Sequence, residues 1–110
     1  MRIPNAEQAQ VDPEKLQGYL LSETHPVGRS KAKFFRGIGF DESNAWILEQ
    51  GLIEIAKTEE IVETAPSVHG VKYVVDGLIT APSGNRVKLR TVWIIDKGQD
   101  RPRFVTAYPI

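Results

Sequence analysis

The sequence predicts an α+β fold in which three N-terminal helices precede a four-stranded antiparallel β-meander. Apolar residues recur at helical spacing as far as Lys57, and β-branched residues then recur at a spacing near two. The segments between the predicted strands are too short for parallel crossovers, which need a dozen or more residues. A length of 110 residues is enough for one domain and not two, so we assign a single domain to 1–110.

Three helices are predicted in the first half of the chain. Asp12 and Pro13 suit a helix start, which predicts an amphipathic helix over 13–22. A second helix is predicted over 29–37, where glycines end it. The third helix is predicted over 43–57 and is expected to pack on the core. Its expected apolar positions are Trp46, Ile47, Ile53 and Ala56.

Four strands are predicted in the second half. They are expected over 59–65, 71–79, 86–95 and 103–108, where β-branched and aromatic residues alternate with polar ones. Proline, glycine, serine and asparagine occupy the separators and are typical of turns. Short turns between neighbouring strands therefore predict an up-and-down meander.

Composition excludes several classes of protein. The chain contains no cysteine, which excludes disulfides, thiolate zinc sites and a cysteine nucleophile. It contains no phosphate-binding loop, dinucleotide fingerprint or HExxH motif, so we expect neither a metal nor another cofactor. No apolar run approaches the roughly 20 residues of a membrane helix. We expect a cytoplasmic protein without membrane contact.

The balanced total charge conceals an uneven distribution. Residues 1–69 carry a net charge of −4 and residues 70–110 carry +4. Four basic residues also fall within the acidic half, where no acidic residue lies between His25 and Phe40. Such a cluster is typical of a phosphate-facing surface, and equally of a solvated helix face. The four residues are Arg29, Lys31, Lys33 and Arg36.

His25 and Lys31 are the first candidate functional residues. His25 precedes Pro26 and the basic helix, and the ordinary pKa of histidine suits proton transfer near neutrality. A structural role in the loop is the alternative. Lys31 lies on the same helical stripe as Phe35 and Ile38. Its ammonium group could point across the sheet edge toward a ligand. Alternatively, the aliphatic part of the side chain packs on the core and the ammonium group lies in water.

Polar residues of the last two predicted strands supply further candidates. Lys88 and Arg90 share one face of the third strand, and Thr106 and Tyr108 share one face of the fourth. Hydroxyls beside guanidinium groups are typical of phosphate recognition, although strand formation alone also explains threonine and tyrosine. Which face is open is not decided by the sequence. The predicted substrate-binding set is Arg29, Lys88, Thr91 and Arg103.

Two stretches together resemble a known family. They are H-P-V-G-R-S-K-A-K-F-F-R-G-I-G-F at 25–40 and R-T-V-W-I-I-D-K-G-Q-D-R-P-R-F-V-T-A-Y-P at 90–109, with I-P-N-A at 3–6. This combination resembles a family of small bacterial proteins known as a domain of unknown function. Members of that family look like modules of larger toxin-like or phage-related proteins, and the resemblance spans nearly the whole chain.

The order of elements and the ending V-T-A-Y-P resemble a second class, the barnase–EndoU–colicin–RelE ribonuclease toxins. This resemblance implies metal-independent RNA cleavage by attack of a 2′-hydroxyl and a neutralising immunity or antitoxin partner. The catalytic residues it implies are His25, Lys31, Arg90, Thr106 and Tyr108. His25 would be the general base or acid, while Lys31 and Arg90 would stabilise the phosphorane. No glutamate matches the base of barnase.

A non-catalytic interaction module is the alternative function, such as an immunity, antitoxin-like or phage-accessory protein. An open meander offers edge strands to a partner and requires no chemistry. The two hypotheses differ in geometry. An enzyme requires His25, Lys31 and Arg90 to converge on one concave site, whereas an interaction module allows them to be scattered.

Overall fold

The computed structural model describes all 110 residues and confirms the predicted α+β fold. Three helical segments precede four strands, with a short 3₁₀ turn at Ala6–Gln8 before the first helix. None of the helices combines the length and the hydropathy that crossing a bilayer requires. The helices are α1 (Pro13–Lys15), α2 (Arg29–Gly37) and α3 (Ala45–Thr58), and the strands are β1 (Ile61–Ser67), β2 (Gly70–Thr80), β3 (Arg86–Asp96) and β4 (Arg103–Pro109).

The first helix departs from the regular geometry that its spacing predicts. It begins as expected, because the Asp12 carboxylate accepts a hydrogen bond from the Glu14 amide at 3.0 Å. After Lys15 the chain widens into a π-helical turn, Leu16–Leu20, which ends where the Leu21 amide donates to the Leu16 carbonyl at 2.7 Å. A π-helical turn is rare and is often found at functional sites.

Helix α3 packs on the core through a different stripe from the one predicted. Trp46 is 65% exposed and Ile47 is 38% exposed, so the prediction that these two residues face the core was wrong. The buried positions recur at intervals of three to four residues and therefore define one face. They are Ala45, Leu48, Leu52, Ile55 and Ala56.

The four strands form one antiparallel sheet in the order β1-β2-β3-β4, as the short connections predict. Bulges interrupt the pairing near Val62 in β1 and near Val105 in β4. Both bulges lie in edge strands, where such irregularities are common. The pairing places Asp76 beside Arg90, and Arg90 beside Tyr108, across three neighbouring strands.

The sheet has one covered face and one open face. Leu89, Thr91 and Trp93 of β3 are fully buried against the helical layer, in which α3 packs against β2 and β3. Alternation then directs Lys88, Arg90 and Val92 to the opposite face. This face carries no helix, and we call it the open face.

Residues before α1 close one end of the core. The Phe104 amide donates to the Gln10 carbonyl at 2.9 Å, and the Gln10 amide donates to the Pro102 carbonyl at 3.0 Å, so Gln10 forms a parallel bridge with β4. At the other side of the sheet, the Ile61 amide donates to the Met1 carbonyl at 2.7 Å. The segment therefore covers the starts of both edge strands, and it contributes its own apolar side chains to the core. They are Ile3, Ala6, Ala9 and Val11.

Replacing Thr91 by valine is expected to lower the free energy of unfolding by roughly 1–3 kcal/mol. The buried Thr91 hydroxyl donates to the Val75 carbonyl at 2.7 Å and accepts from the Trp93 indole N–H at 2.9 Å. Valine keeps the shape but removes both hydrogen bonds and leaves the buried Trp93 indole N–H without its partner. Urea denaturation measures the change, with the exposed Thr64→Val as the matched control. Equal effects of the two substitutions would contradict this account.

Candidate functional site

A groove at the β4 edge brings several polar side chains together. It has a volume of about 620 Å³ and lies between the first helical segment, the loop before α2 and β4. Tyr19 of the π-helical turn lines this groove, as do Glu14 and Lys15 of α1. The lining residues are Asp12, Glu14, Lys15, Gly18, Tyr19, His25, Val27, Val105 and Thr106.

Tyr19 contacts residues from four parts of the chain. Its hydroxyl and the Thr106 hydroxyl share a hydrogen bond of 2.9 Å. The His25 ring meets the Tyr19 ring edge to face, with centroids 5.1 Å apart. The ammonium groups of Lys15 and Lys31 lie 5.2 Å and 5.7 Å from the centre of the Tyr19 ring. These contacts are cation–π interactions, which place two positive charges beside the groove. We call Lys15, Tyr19, His25, Lys31 and Thr106 the Tyr19 cluster.

The imidazole of His25 also organises the loop before α2. Its Nδ1 atom accepts hydrogen bonds from the Val27 amide at 3.0 Å and from the Gly28 amide at 2.9 Å. An accepting Nδ1 is unprotonated, so the neutral ring carries its hydrogen on Nε2. The ring therefore retains one free donor, Nε2–H, after its bonds to the loop are made.

Gly28 allows the loop to approach Tyr19 closely. A Cβ atom at this position would lie 2.3 Å from the Tyr19 carbonyl oxygen and 2.9 Å from its ring. No side chain fits at such distances, so glycine is required here for space and not for an unusual backbone angle. The H-P-V-G segment thus fixes the position of Tyr19 as well as that of His25.

Arg90 and Tyr108 lie on the open face and not in the lining of the groove. The guanidinium of Arg90 binds both carboxylate oxygens of Asp76, through Nε at 2.9 Å and Nη2 at 2.9 Å. Arg90 is paired with Tyr108, and Thr106 lies two residues earlier on the same face of β4. Thr106 therefore joins the open face to the Tyr19 cluster. His25 and Lys31 meet at Tyr19, whereas Arg90 lies on the open face and is connected to them only through this row, so the three residues do not converge on one concave site.

The four residues of the predicted substrate-binding set lie in different places. Arg29 lines a basic pocket on α2, and Lys88 is exposed on the open face beside Asp76. Arg103 lines a smaller cavity that shares Asp12 and Lys15 with the groove, and both of its bonding nitrogens contact Asp96. Thr91 is 0% exposed and fully bonded in the core, so it lies outside the candidate site.

The basic residues of α2 have different surroundings, because Arg36 makes structural contacts whereas Arg29 and Lys33 lie on the surface. The Arg36 guanidinium donates to the Leu21 carbonyl through Nε at 2.9 Å and Nη2 at 2.7 Å, and it also pairs with Glu42. Its hydrogen bond to the Glu42 carboxylate is the main cause of its raised pKa. Arg36 thus anchors the end of the π-helical turn. Arg29 and Lys33 remain exposed.

The sequence pattern does not single out Tyr19, Lys15 or Glu14 as site residues. Tyr19 fits a helical apolar stripe, so its spacing indicates a core position. Its actual neighbours come from a loop, another helix and a distant strand, and no local pattern reports such contacts. The structure contains no group of three or more histidine, aspartate and glutamate side chains that could hold a metal ion.

The stabilising effect of the Asp76–Arg90 pair is expected to decrease at acidic pH. The hydrogen bond from Arg90 is the main cause of the lowered pKa of Asp76. A lowered folded-state pKa stabilises the fold above the unfolded-state value of about 3.9, and this contribution is lost as the pH falls through the folded-state pKa. Urea denaturation should therefore show a difference between the wild type and Asp76→Asn that shrinks below about pH 4. A difference independent of pH would contradict this expectation.

The fold and the groove define a small α+β domain in which helices cover one sheet face and a polar site crosses the sheet edge. The chain belongs to the family described as Domain of unknown function (DUF6883), whose model matches residues 2–110. The expected membership in a family of unknown function is thereby confirmed. No curated protein matches the sequence.

A solved structure has the same fold. It is a contact-dependent growth inhibition toxin–immunity protein complex from Klebsiella pneumoniae 342. The match covers 94% of this chain and 95% of that chain, with a TM-score of 0.72 and 19% sequence identity. At this identity the similarity establishes the fold.

Proposed function

We propose that this chain is a metal-independent endoribonuclease domain of toxin type that cleaves RNA by attack of a ribose 2′-hydroxyl on the adjacent phosphate. The observation that carries the proposal is the Tyr19 cluster. Two ammonium groups, an imidazole N–H and two hydroxyls meet beside one groove. Preorganised cations and donors of this kind stabilise charge that develops on a phosphoryl group.

His25 acts in this mechanism as a hydrogen-bond donor. General base or acid chemistry was predicted for His25, but the two amide hydrogen bonds to Nδ1 favour a different role. A base would need a free lone pair on Nε2, and an acid would need a second proton on Nδ1. Either change would break the bonds that hold the loop. The neutral ring instead donates Nε2–H to a phosphate oxygen.

Glu14 is the general base in this proposal. Asp12 and Glu14 are the carboxylates that line the groove, and the Asp12 side chain already caps α1. Glu14 lies over Gly18, where a Cβ atom would come within 2.5 Å of its Oε2 atom. The carboxylate accepts the proton of the 2′-hydroxyl, whose oxygen then bonds to phosphorus. The carboxylate oxygens supply the acceptor that this proton transfer requires.

The remaining residues stabilise the phosphorane and assist the leaving group. Lys31 and Arg90 neutralise charge on the phosphoryl oxygens, and Thr106 orients the phosphate. Tyr108 donates its hydroxyl proton to the departing 5′ oxygen as the bond from phosphorus to that oxygen breaks. The products are a 2′,3′-cyclic phosphate and a free 5′-hydroxyl. Thr106 lies between the two groups of residues, which supports a phosphate position across the β4 edge.

A neutralising immunity or antitoxin protein is the partner that this function implies. The structural neighbour is a complex of a toxin with its immunity protein, which supports a place on one side of such a pair. Covering the groove would exclude RNA. An acidic surface on the partner would complement Lys15, Lys31 and the exposed Arg29 and Lys33 of α2.

Incubating the purified domain with total bacterial RNA in the presence of a chelator tests the proposed function. Cleavage into discrete fragments is expected, because no step requires a metal. Binding should also weaken steeply as salt rises, since phosphate contacts release counterions. Intact RNA after prolonged incubation at low salt would contradict the proposal.

An interaction module is the second candidate, and exposed apolar residues favour it. Trp46 is 65% exposed and lies beside Ile47 on the outer side of α3, while Val62 of edge strand β1 is 55% exposed. Large exposed aromatic side chains are enriched among the residues that dominate protein interfaces. An immunity or accessory protein would use exposed apolar residues of this kind and leave RNA intact.

A further inference from the structure

We infer that Asp76 is a positioning residue that holds the Arg90 guanidinium in the orientation required for phosphate binding on the open face. The inference rests on the proposed ribonuclease function. The carboxylate of Asp76 has no part in the catalytic mechanism proposed above. Neither the sequence pattern nor the spacing of motifs indicates this residue.

The pairing geometry supports this role. Asp76 and Arg90 are direct cross-strand neighbours on β2 and β3, and they form two hydrogen bonds of 2.9 Å. The Asp76 side chain is only 16% exposed and that of Arg90 is 35% exposed, so water competes weakly for the pair. A bidentate contact fixes the plane of a guanidinium as well as its position.

The contact uses only one edge of the guanidinium. Nε and Nη2 bind Asp76, whereas Nη1 and the second hydrogen of Nη2 have no partner within the protein. A guanidinium carries five N–H donors, so three of them remain free. Asp76 therefore does not compete for the whole of Arg90. It fixes one edge and leaves the other for an anion.

The neighbours of Arg90 indicate where that anion would lie. Arg90 is paired with Tyr108 on the side away from Asp76. No further strand lies beyond Tyr108, because β4 is at the edge of the sheet. Thr106 lies on the same face and reaches Tyr19 at 2.9 Å. A phosphate bound between Arg90 and Tyr108 would thus lie on the row that leads to the groove.

A double-mutant cycle in the purified domain tests the inference. Asp76→Asn keeps the shape but replaces one acceptor oxygen by an amide donor, which displaces the guanidinium. We expect kcat for RNA cleavage to fall roughly 10–100-fold, because a misplacement near 1 Å has effects of this size. KM should change by about twofold or less, since Arg90 keeps its charge. In an Arg90→Lys background, Asp76→Asn should have no further effect on kcat.

Two further variants separate positioning from charge and from folding. Asp76→Glu keeps the charge but lengthens the side chain, so kcat should again fall. Glu60→Gln disturbs the ion pair with the amino group of Met1, outside the site, and should leave kcat unchanged. Thermal unfolding of each variant verifies that the fold is retained.

Several outcomes would overturn the inference. Effects of Asp76→Asn that add to those of Arg90→Lys would show that Asp76 does not act through Arg90. Wild-type kcat in Asp76→Glu would show that only charge matters, and higher activity in Asp76→Asn would show that Asp76 competes with phosphate. Absence of cleavage by the wild type would instead refute the proposed function, and the inference with it.

Discussion

Replacing His25 by asparagine is expected to lower RNA cleavage roughly 10²–10³-fold without unfolding the domain. The asparagine carbonyl can accept the amide hydrogen bonds that Nδ1 of His25 now accepts from Val27 and Gly28, as in an Asx turn. The asparagine N–H groups lie nearer the backbone and do not reach the position of the Nε2–H donor. The substitution therefore separates the chemical role of the ring from its role in the loop. Initial rates on a defined RNA, together with thermal unfolding, measure both effects.

His69→Asn is the matched control for this substitution. His69 is exposed in the turn between β1 and β2, so its replacement should leave both cleavage and stability unchanged. His25→Ala should lose the loop contacts as well as the donor. Full activity of His25→Asn would show that His25 has only a structural role. An equal loss of activity and stability in that variant would lead to the same conclusion.

Gly28→Ala is expected to abolish cleavage and to destabilise the domain by roughly 1–3 kcal/mol. The added methyl group would lie 2.3 Å from the Tyr19 carbonyl oxygen, so either the loop or the π-helical turn must move. Both carry residues of the Tyr19 cluster. Movement of either would separate His25 from Tyr19 and disturb the hydrogen bond to Thr106. Urea denaturation and cleavage rates measure the two effects.

Gly37→Ala provides the matched control at the other end of α2. A Cβ atom at Gly37 would meet nothing within 4 Å, and alanine favours helix more than glycine does. This variant should be as active as the wild type and as stable or slightly more stable. Similar behaviour of Gly28→Ala and Gly37→Ala would contradict the structural requirement for glycine at position 28.

The architecture was predictable because its signals are local. The change in hydrophobic period after Lys57 marks the boundary between helices and sheet, and short turns require an antiparallel meander. Trp46 was misplaced because a large apolar side chain at helical spacing is assumed to be buried. The actual stripe begins one residue earlier, at Ala45, where α3 meets the sheet. The π-helical turn carries no recognisable signal in the spacing of Leu16, Tyr19 and Leu20.

The candidate site was only partly predictable. The sequence singled out His25, Lys31 and Thr106 as chemical groups, and all three contact Tyr19 in the structure. It could not indicate Tyr19 itself, because that role depends on contacts across 87 positions of the chain. Thr91, by contrast, was predicted to bind substrate and lies in the core. Lys88 and Arg90 precede it in the sequence, but strand alternation turns its hydroxyl into the core.

The chemical ends of the cleaved RNA test the central claim most directly. The purified domain should be incubated with a defined RNA in the presence of a chelator, and the fragments analysed by mass spectrometry. Attack by a 2′-hydroxyl, with proton transfer to the 5′ oxygen, predicts 2′,3′-cyclic phosphate and 5′-hydroxyl ends. Fragments with 3′-hydroxyl and 5′-phosphate ends, or RNA that remains intact, would contradict the account.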